Sequence, residues 1–250
     1  MIKLTTLEKV YTSTHRIGPL NLTIPTAGIT SLIGPNGAGK STMLLMIGRL
    51  LTADAGHIQI ANLDVASTKS CDLAKIVAIL RQDNQFVTRL TVRQLVAFGR
   101  FPYSKGRLTR YDQGVIERYL DFFDLADIQH DYIDELSGGQ RQRAYVAMIL
   151  CQETDYVLLD EPLNNLDIAH SVQMMQYLRQ AADELGRTIV LVLHDLNFAA
   201  RYSDQICAMK AGQIVHFGSP EEIIQADTLS DLFDTPVNVY DSPQGPSVLY

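Results

Sequence analysis

Cysteine is scarce in this chain: Cys71, Cys151 and Cys207 are widely spaced and form no CxxC pair. That pattern argues against a disulfide framework and a paired-thiol zinc site, and it points to reduced, buried thiols. Basic charge is in deficit as well. Against 28 Asp and Glu stand 21 Lys and Arg, a formal net charge of −7. This is the wrong balance for a protein that grips a nucleic-acid backbone, so no nucleic-acid partner is expected. Long apolar runs are missing too. Nowhere do 18 apolar residues run together, which excludes a membrane-spanning helix. The opening MIKLTTLEKVYTSTHR has no apolar centre of the kind a secretory signal needs. Any membrane role must therefore come through a partner.

What is present is globular. Hydrophobic residues make up 46% and charged residues 20% of 250 positions, enough for one compact unit or a core with a subdomain. The first 30 residues read as strands, with Leu20, Leu22 and Ile24 alternating with polar neighbours, and GHIQIANLDV from Gly56 reads as another. The apolar runs Ile29–Ile33, Ile76–Leu80, Tyr156–Leu159 and Ile189–Leu193 alternate with helical patterns, which suggests a parallel sheet with both faces covered. From about residue 86 to 150 the periodicity is helical and no strand candidate appears, so this stretch reads as an insertion. KAGQIVHFG reads as a hairpin, and Ser219-Pro220-Glu221-Glu222 as a helix start. The last fifteen residues, rich in Pro, Ser and Gly, read as a packed tail without an element of its own.

Each of the four apolar runs leads to polar chemistry. The first enters Gly34-Pro35-Asn36-Gly37-Ala38-Gly39-Lys40-Ser41-Thr42, the second reaches Gln82, the third ends in Asp160 and Glu161, and the fourth in His194. Ligands of open α/β sheets bind outside the carboxyl ends of the strands, so four such ends describe one site. The glycine loop matches GxxxxGK[ST], whose free amides at a helix start cradle phosphate oxygens. Lys40 would meet the β and γ phosphates and Ser41 would ligate Mg²⁺. Asp160 is placed to hold Mg²⁺ through its water shell, and Glu161 to polarise an attacking water. The plain alternatives are a glycine turn and a solvated acidic strand end. In LSGGQRQR, Ser137 can cap a helix while Gly138 and Gly139 leave amides bare. A second anion-binding helix start makes sense if it closes over a nucleotide held by another copy of the chain.

Gly34–Thr42, Gln82, Leu136–Gln140, Tyr156–Glu161, Leu163–Asp167 and His194 stand in the order of an ABC-transporter ATPase subunit, and the chain resembles that family over essentially its whole length. The resemblance implies a P-loop NTPase (RecA-like) α/β core with an N-terminal antiparallel β subdomain and an inserted helical subdomain. Residues 1–85 and 151–250 would form the core with its β subdomain, and 86–150 the helical subdomain within a single 1–250 unit. It implies ATP and Mg²⁺ as ligands and a head-to-tail homodimer with two ATPs between loop and signature. By position, Gln82 resembles the contact to Mg²⁺ and the membrane subunit. Ser137, Gly138, Gly139 and Gln140 resemble the signature, Asp167 the residue crossing the dimer, and His194 the switch at the γ-phosphate. Tyr11 stands where the family places an aromatic under adenine, although packing on the core is its other reading.

LTVRQLVAFGRFPY and DEPLNNLD resemble the branch that serves importers of ferric siderophores, haem and cobalamin, the second more narrowly the siderophore importers. Leu163 departs from the Ser or Thr usual in the wider family. The resemblance implies separate permease subunits, a solute-binding protein acting through them, and a peripheral position on the cytoplasmic face of the inner membrane. A soluble ABC ATPase not coupled to transport is the alternative of a different class. Phe98, Phe101 and Tyr103 read as helical core, at least one of them, or else as an exposed docking cluster for the permease.

Overall fold

Period-two alternation builds the first sheet. In strands β1 (Ile2–Val10) and β2 (Arg16–Ile24), residues such as Ile2, Leu4, Leu20, Leu22 and Ile24 are buried between exposed neighbours. The two pair antiparallel, Leu4 opposite Leu22. The computed structural model describes residues 1–12, 15–82, 89–242 and 245–249. Strand β3 (Gly28–Ile33) leaves this sheet for a second one and turns into helix α1 (Lys40–Ile47). Strands β4 (Ala55–Ile60) and β5 (Leu63–Asp64) return to the first sheet, whose order is β2-β1-β4-β5. A single turn of helix, α2 (Ser70–Leu73), then leads to β6 (Val77–Leu80).

The next stretch, where described, is helical: α3 (Val92–Phe98), α4 (Phe101–Ser104), α5 (Arg110–Phe122) and α6 (Gly138–Cys151). Thr91, Thr109 and Ser137 each start a helix with a capping box, meeting free N–H groups that would otherwise go unpaired. The remainder alternates again, through β7 (Tyr156–Leu159), α7 (Ile168–Leu185), β8 (Thr188–Val192), α8 (Leu196–Tyr202), β9 (Gln205–Lys210) and β10 (Gln213–Gly218). After α9 (Pro220–Ile223) and α10 (Ala226–Phe233), the chain ends in β11 (Asn238–Ser242) and β12 (Gly245–Leu249).

The second sheet has the order β10-β9-β3-β8-β7-β6, parallel except for the β9–β10 hairpin at its edge. Both of its faces are covered, and neighbouring side chains divide between them. Leu32, Leu158, Val190 and Val192 pack with α1 and the first sheet; Ile29, Val157, Leu159, Ile189 and Leu191 pack with the helices. This is why its strands read as nearly unbroken apolar runs.

Three expectations are corrected. The C-terminal residues form a hairpin, with Val239 opposite Val248. Asn197 on α8 secures it, accepting from Val248 N at 2.8 Å and donating to Val248 O at 3.3 Å. This is a tertiary anchor that composition does not reveal. Cys71 is exposed on α2, whereas Cys151 and Cys207 are buried as expected. Finally, Phe98, Phe101 and Tyr103 are all exposed, so none of them is core. The buried side chain of that segment is Arg100, which donates to Asp112 at 2.9 Å, to Glu153 at 3.1 Å and to the Cys151 carbonyl at 3.0 Å. Arg100 takes the interior position, and the aromatics are turned outward.

Candidate functional site

Strands β3, β6, β7 and β8 are adjacent and parallel, so the groups that follow them emerge along one edge of the sheet. After β3 the loop 34–39 wraps into α1. Two of its glycines answer to the fold itself. At Gly34, with φ +140°, a Cβ would sit 2.0 Å from the Met209 carbonyl of β9; at Gly39, with φ +101°, it would sit 2.7 Å from Ile17. Gly37, with φ +77°, faces open space. Close approach within the fold therefore asks for two of the three glycines.

Lys40 is buried at the start of α1, and its ammonium donates to the Gly34 carbonyl at 2.7 Å and the Pro35 carbonyl at 2.9 Å. Burial lowers its pKa from the ordinary lysine value, while the charges of Glu161 and Asp160 oppose the shift. Next in sequence, the Ser41 hydroxyl donates to Asp160 Oδ1 at 2.8 Å. Burial pushes the Asp160 carboxyl above its ordinary value; the Ser41 hydrogen bond opposes this and the Glu161 charge adds to it. A hydroxyl and a buried carboxylate in contact form a hard-oxygen set, the kind that suits Mg²⁺.

Glu161 is the hub of the strand ends. Its backbone takes the left-handed conformation, φ 54°, which turns the chain sharply after β7. His194 Nε2 meets its Oε1 at 2.7 Å, Gln82 Nε2 donates to its Oε2 at 2.8 Å, and Asn164 Nδ2 donates to Oε2 as well. Sequence reasoning brought Gln82, Glu161 and His194 to one edge but missed Asn164, whose signal was an amide three residues after an acid in a turn.

A cleft of about 290 Å³ joins these groups to the glycine loop, lined by Asn36–Thr42, Tyr11, His15, Ile17, Glu161 and His194. Tyr11 follows the end of β1 and is exposed, so the core-packing reading is set aside. Its hydroxyl lies 3.2 Å from Thr42 Oγ1, and its ring is tilted against that of His15 with centroids 5.3 Å apart. His15 had no role in the sequence reading, because nothing in its neighbourhood marked it.

The signature residues stand elsewhere. Ser137 caps α6, its hydroxyl accepting from Gln140 N at 3.3 Å while Gln140 Oε1 accepts from Ser137 N at 3.0 Å. At Gly139 a Cβ would fall 2.6 Å from the His170 ring, whereas Gly138 has only an ordinary contact. One glycine therefore answers to packing and the other does not. Asp167 caps α7, accepting from His170 N and from His170 Nδ1, both at 2.8 Å; the backbone bond is the main reason its pKa is lowered. None of the residues lining the cleft comes from Ser137–Gln140 or is Asp167.

Comparison with known proteins identifies the family. The family model described as ABC transporter matches residues 17–164. The petrobactin import ATP-binding protein FatE of Bacillus anthracis is 65% identical over 250 residues, covering 100% of both chains. The petrobactin import ATP-binding protein YclP of Bacillus subtilis (strain 168) is 48% identical, over 96% of this chain and 95% of that one. Among solved structures, a dimeric post-hydrolysis state of the ATP-binding cassette MJ0796 bound to ADP and Pi aligns with a TM-score of 0.78. It is 28% identical and covers 88% of this chain and 99% of that one. The chain belongs to the ABC transporter family.

Proposed function

We propose that this chain is the ATP-hydrolysing subunit that energises an importer of ferric siderophores. The observation that carries the reading is the meeting of Lys40, Ser41, Asp160, Glu161, Gln82 and His194 at one sheet edge, in a chain 65% identical to a petrobactin import ATPase. In this reading Gly34–Thr42 hold the phosphates of ATP, and Lys40 exchanges its two carbonyl partners for phosphate oxygens. Tyr11 takes the adenine on its exposed ring.

Ser41, Asp160 and Gln82 hold Mg²⁺, which when bound neutralises phosphate charge and fixes the oxygens for in-line attack. Glu161 accepts a proton from the attacking water, and His194 contacts the γ-phosphate. The buried Asp160, with Ser41 already against it, keeps its place without reorganisation.

Ser137–Gln140 present the capped start of α6 to the nucleotide of a second copy, and Asp167 crosses to that copy. The partners are a second ATPase subunit, membrane permease subunits and, through them, a solute-binding protein. The chain then sits peripherally at the cytoplasmic face of the membrane; among the described residues no helix is long and apolar enough to cross one. Within the 1–250 unit, residues 86–150 act as the helical subdomain, and 1–85 with 151–250 as the core. Uptake of ferric petrobactin in a strain lacking this chain is the test. Wild-type chain should restore it and Glu161→Gln should not. Unimpaired uptake without the chain would overturn the reading.

A further inference from the structure

We propose that Asn164 is a positioning residue for hydrolysis, holding the Glu161 carboxylate in line with the attacking water after its other partners have left. The proposal rests on the reading of Glu161 as the group that activates water. In the chain as it stands, three donors occupy that carboxylate: His194 on Oε1, and Gln82 and Asn164 on Oε2. An ionised carboxylate offers about four lone-pair directions, so this arrangement leaves about one for water. Glu161 is latched rather than ready.

The three donors are not equivalent. Gln82 stands beyond β6 and His194 beyond β8, each past the end of a different strand from the one that carries Glu161. In the proposed ATP-bound state both have other duties, Gln82 at Mg²⁺ and His194 at the γ-phosphate. Asn164 belongs to the same turn as Glu161. Its backbone N–H donates to the Glu161 carbonyl at 3.2 Å while its side-chain amide reaches the carboxylate. Whatever moves Glu161 moves Asn164 with it.

Asn164 is therefore the constant partner. It occupies one direction of Oε2 throughout, which limits rotation of the carboxylate as Gln82 departs. An amide is suited to this, since it donates at neutral pH without adding charge. Asn164 is also exposed, so the side of the carboxylate it borders is open to the water that reacts. The left-handed backbone at Glu161 adds a reason for such a brace, because the sharp turn after β7 leaves the side chain directed by contacts rather than by the strand.

The test uses steady-state hydrolysis of Mg²⁺–ATP by the full-length chain, with ATP affinity measured by calorimetric titration. Asn164→Ala should lower kcat by about 3- to 10-fold, the loss of a hydrogen bond to a charged group at an exposed position, while ATP affinity is unchanged. Asn164→Asp keeps the shape but sets a second carboxylate beside Glu161. A carboxylate has no N–H to donate to Glu161, so kcat should fall at least as far as in Asn164→Ala, again with ATP affinity unchanged. In a Glu161→Gln background, either change should have no further effect on residual hydrolysis.

An unchanged kcat in Asn164→Asp, or losses that multiply with Glu161→Gln as those of independent residues do, would overturn the proposal. The underlying reading fails separately. If Glu161→Gln itself hydrolyses ATP at the wild-type rate, the assignment of Glu161 is wrong, whatever Asn164 does.

Discussion

His194 Nε2 lies 2.7 Å from Glu161 Oε1, so the ends of β8 and β7 meet at a single carboxylate. The imidazole must donate through Nε2 to make this contact, which leaves Nδ1 as the unprotonated nitrogen when the ring is neutral. Glu161→Gln replaces the proposed proton acceptor with an amide of the same shape. It should bind ATP normally, lose about 10²–10⁴ in hydrolysis rate, and accumulate an ATP-bound dimer. Phosphate release and size-exclusion chromatography with Mg²⁺–ATP measure the two effects.

Asp160 gives the site a cost that can be read as stability. Its pKa is raised chiefly by burial, so between the unfolded and folded values the native state binds more protons than the unfolded one. By linkage, this contribution opposes folding at neutral pH and fades as the pH falls through the folded pKa. Asp160→Asn removes the charge and keeps an oxygen to accept from Ser41. The nucleotide-free variant should melt at higher temperature at pH 7, by about 2–4 °C per kcal/mol relieved, with the gain shrinking toward pH 4. Mg²⁺-dependent hydrolysis should be lost. Differential scanning calorimetry at several pH values checks the sign.

The site was more legible in the sequence than the fold's edges were. Gly34–Thr42, Gln82, Asp160, Glu161 and His194 announce themselves because each follows an apolar run, and parallel strands deliver their carboxyl ends to one side. The reasons for the glycines were not legible. Gly34 is needed by the Met209 carbonyl and Gly139 by the His170 ring, contacts about 175 and 31 residues away in sequence that no local pattern encodes. The β11–β12 hairpin was missed likewise, since its anchor is Asn197 on a distant helix. Arg100 escaped because arginine is a surface residue by default, and it is buried here only because Asp112 and Glu153 meet it there.

That burial makes a prediction about stability alone. Arg100→Met would leave Asp112 buried without its cation and the Cys151 carbonyl without a donor. Breaking one side of a buried pair costs about 3–5 kcal/mol, so the urea midpoint should fall markedly. Pairing the change with Asp112→Leu should recover part of the loss, because the charge left behind is then gone. Equilibrium unfolding of the two variants decides it.

Ser137→Arg places a bulky cation at the capped start of α6, away from the cleft lined by Asn36–Thr42. ATP binding to the single chain should persist, whereas closure and turnover should stop. Mixed with Lys40→Ala, both lesions can fall on one shared site of a head-to-tail dimer and leave the other site whole. Activity should then reappear in the mixture. If no ratio of the two variants hydrolyses ATP above either alone, the shared-site arrangement is wrong.

Phe101 offers a test of the proposed permease contact. It is 57% exposed at the start of α4, next to the buried Arg100 that ties the segment to Asp112 and Glu153. Phe98 and Tyr103 are exposed beside it in sequence, and clustered aromatics of this kind often anchor protein interfaces. Because Arg100 supplies the interior contacts, Phe101→Asp should leave folding and ATP hydrolysis by the isolated subunit near wild type. Uptake of ferric siderophore should fall at least tenfold, since an aspartate in a desolvated interface loses the aromatic contact and adds an unpaired charge. Parallel loss of hydrolysis and uptake would instead assign Phe101 to the fold. Normal uptake would move the permease contact to another face of the subunit.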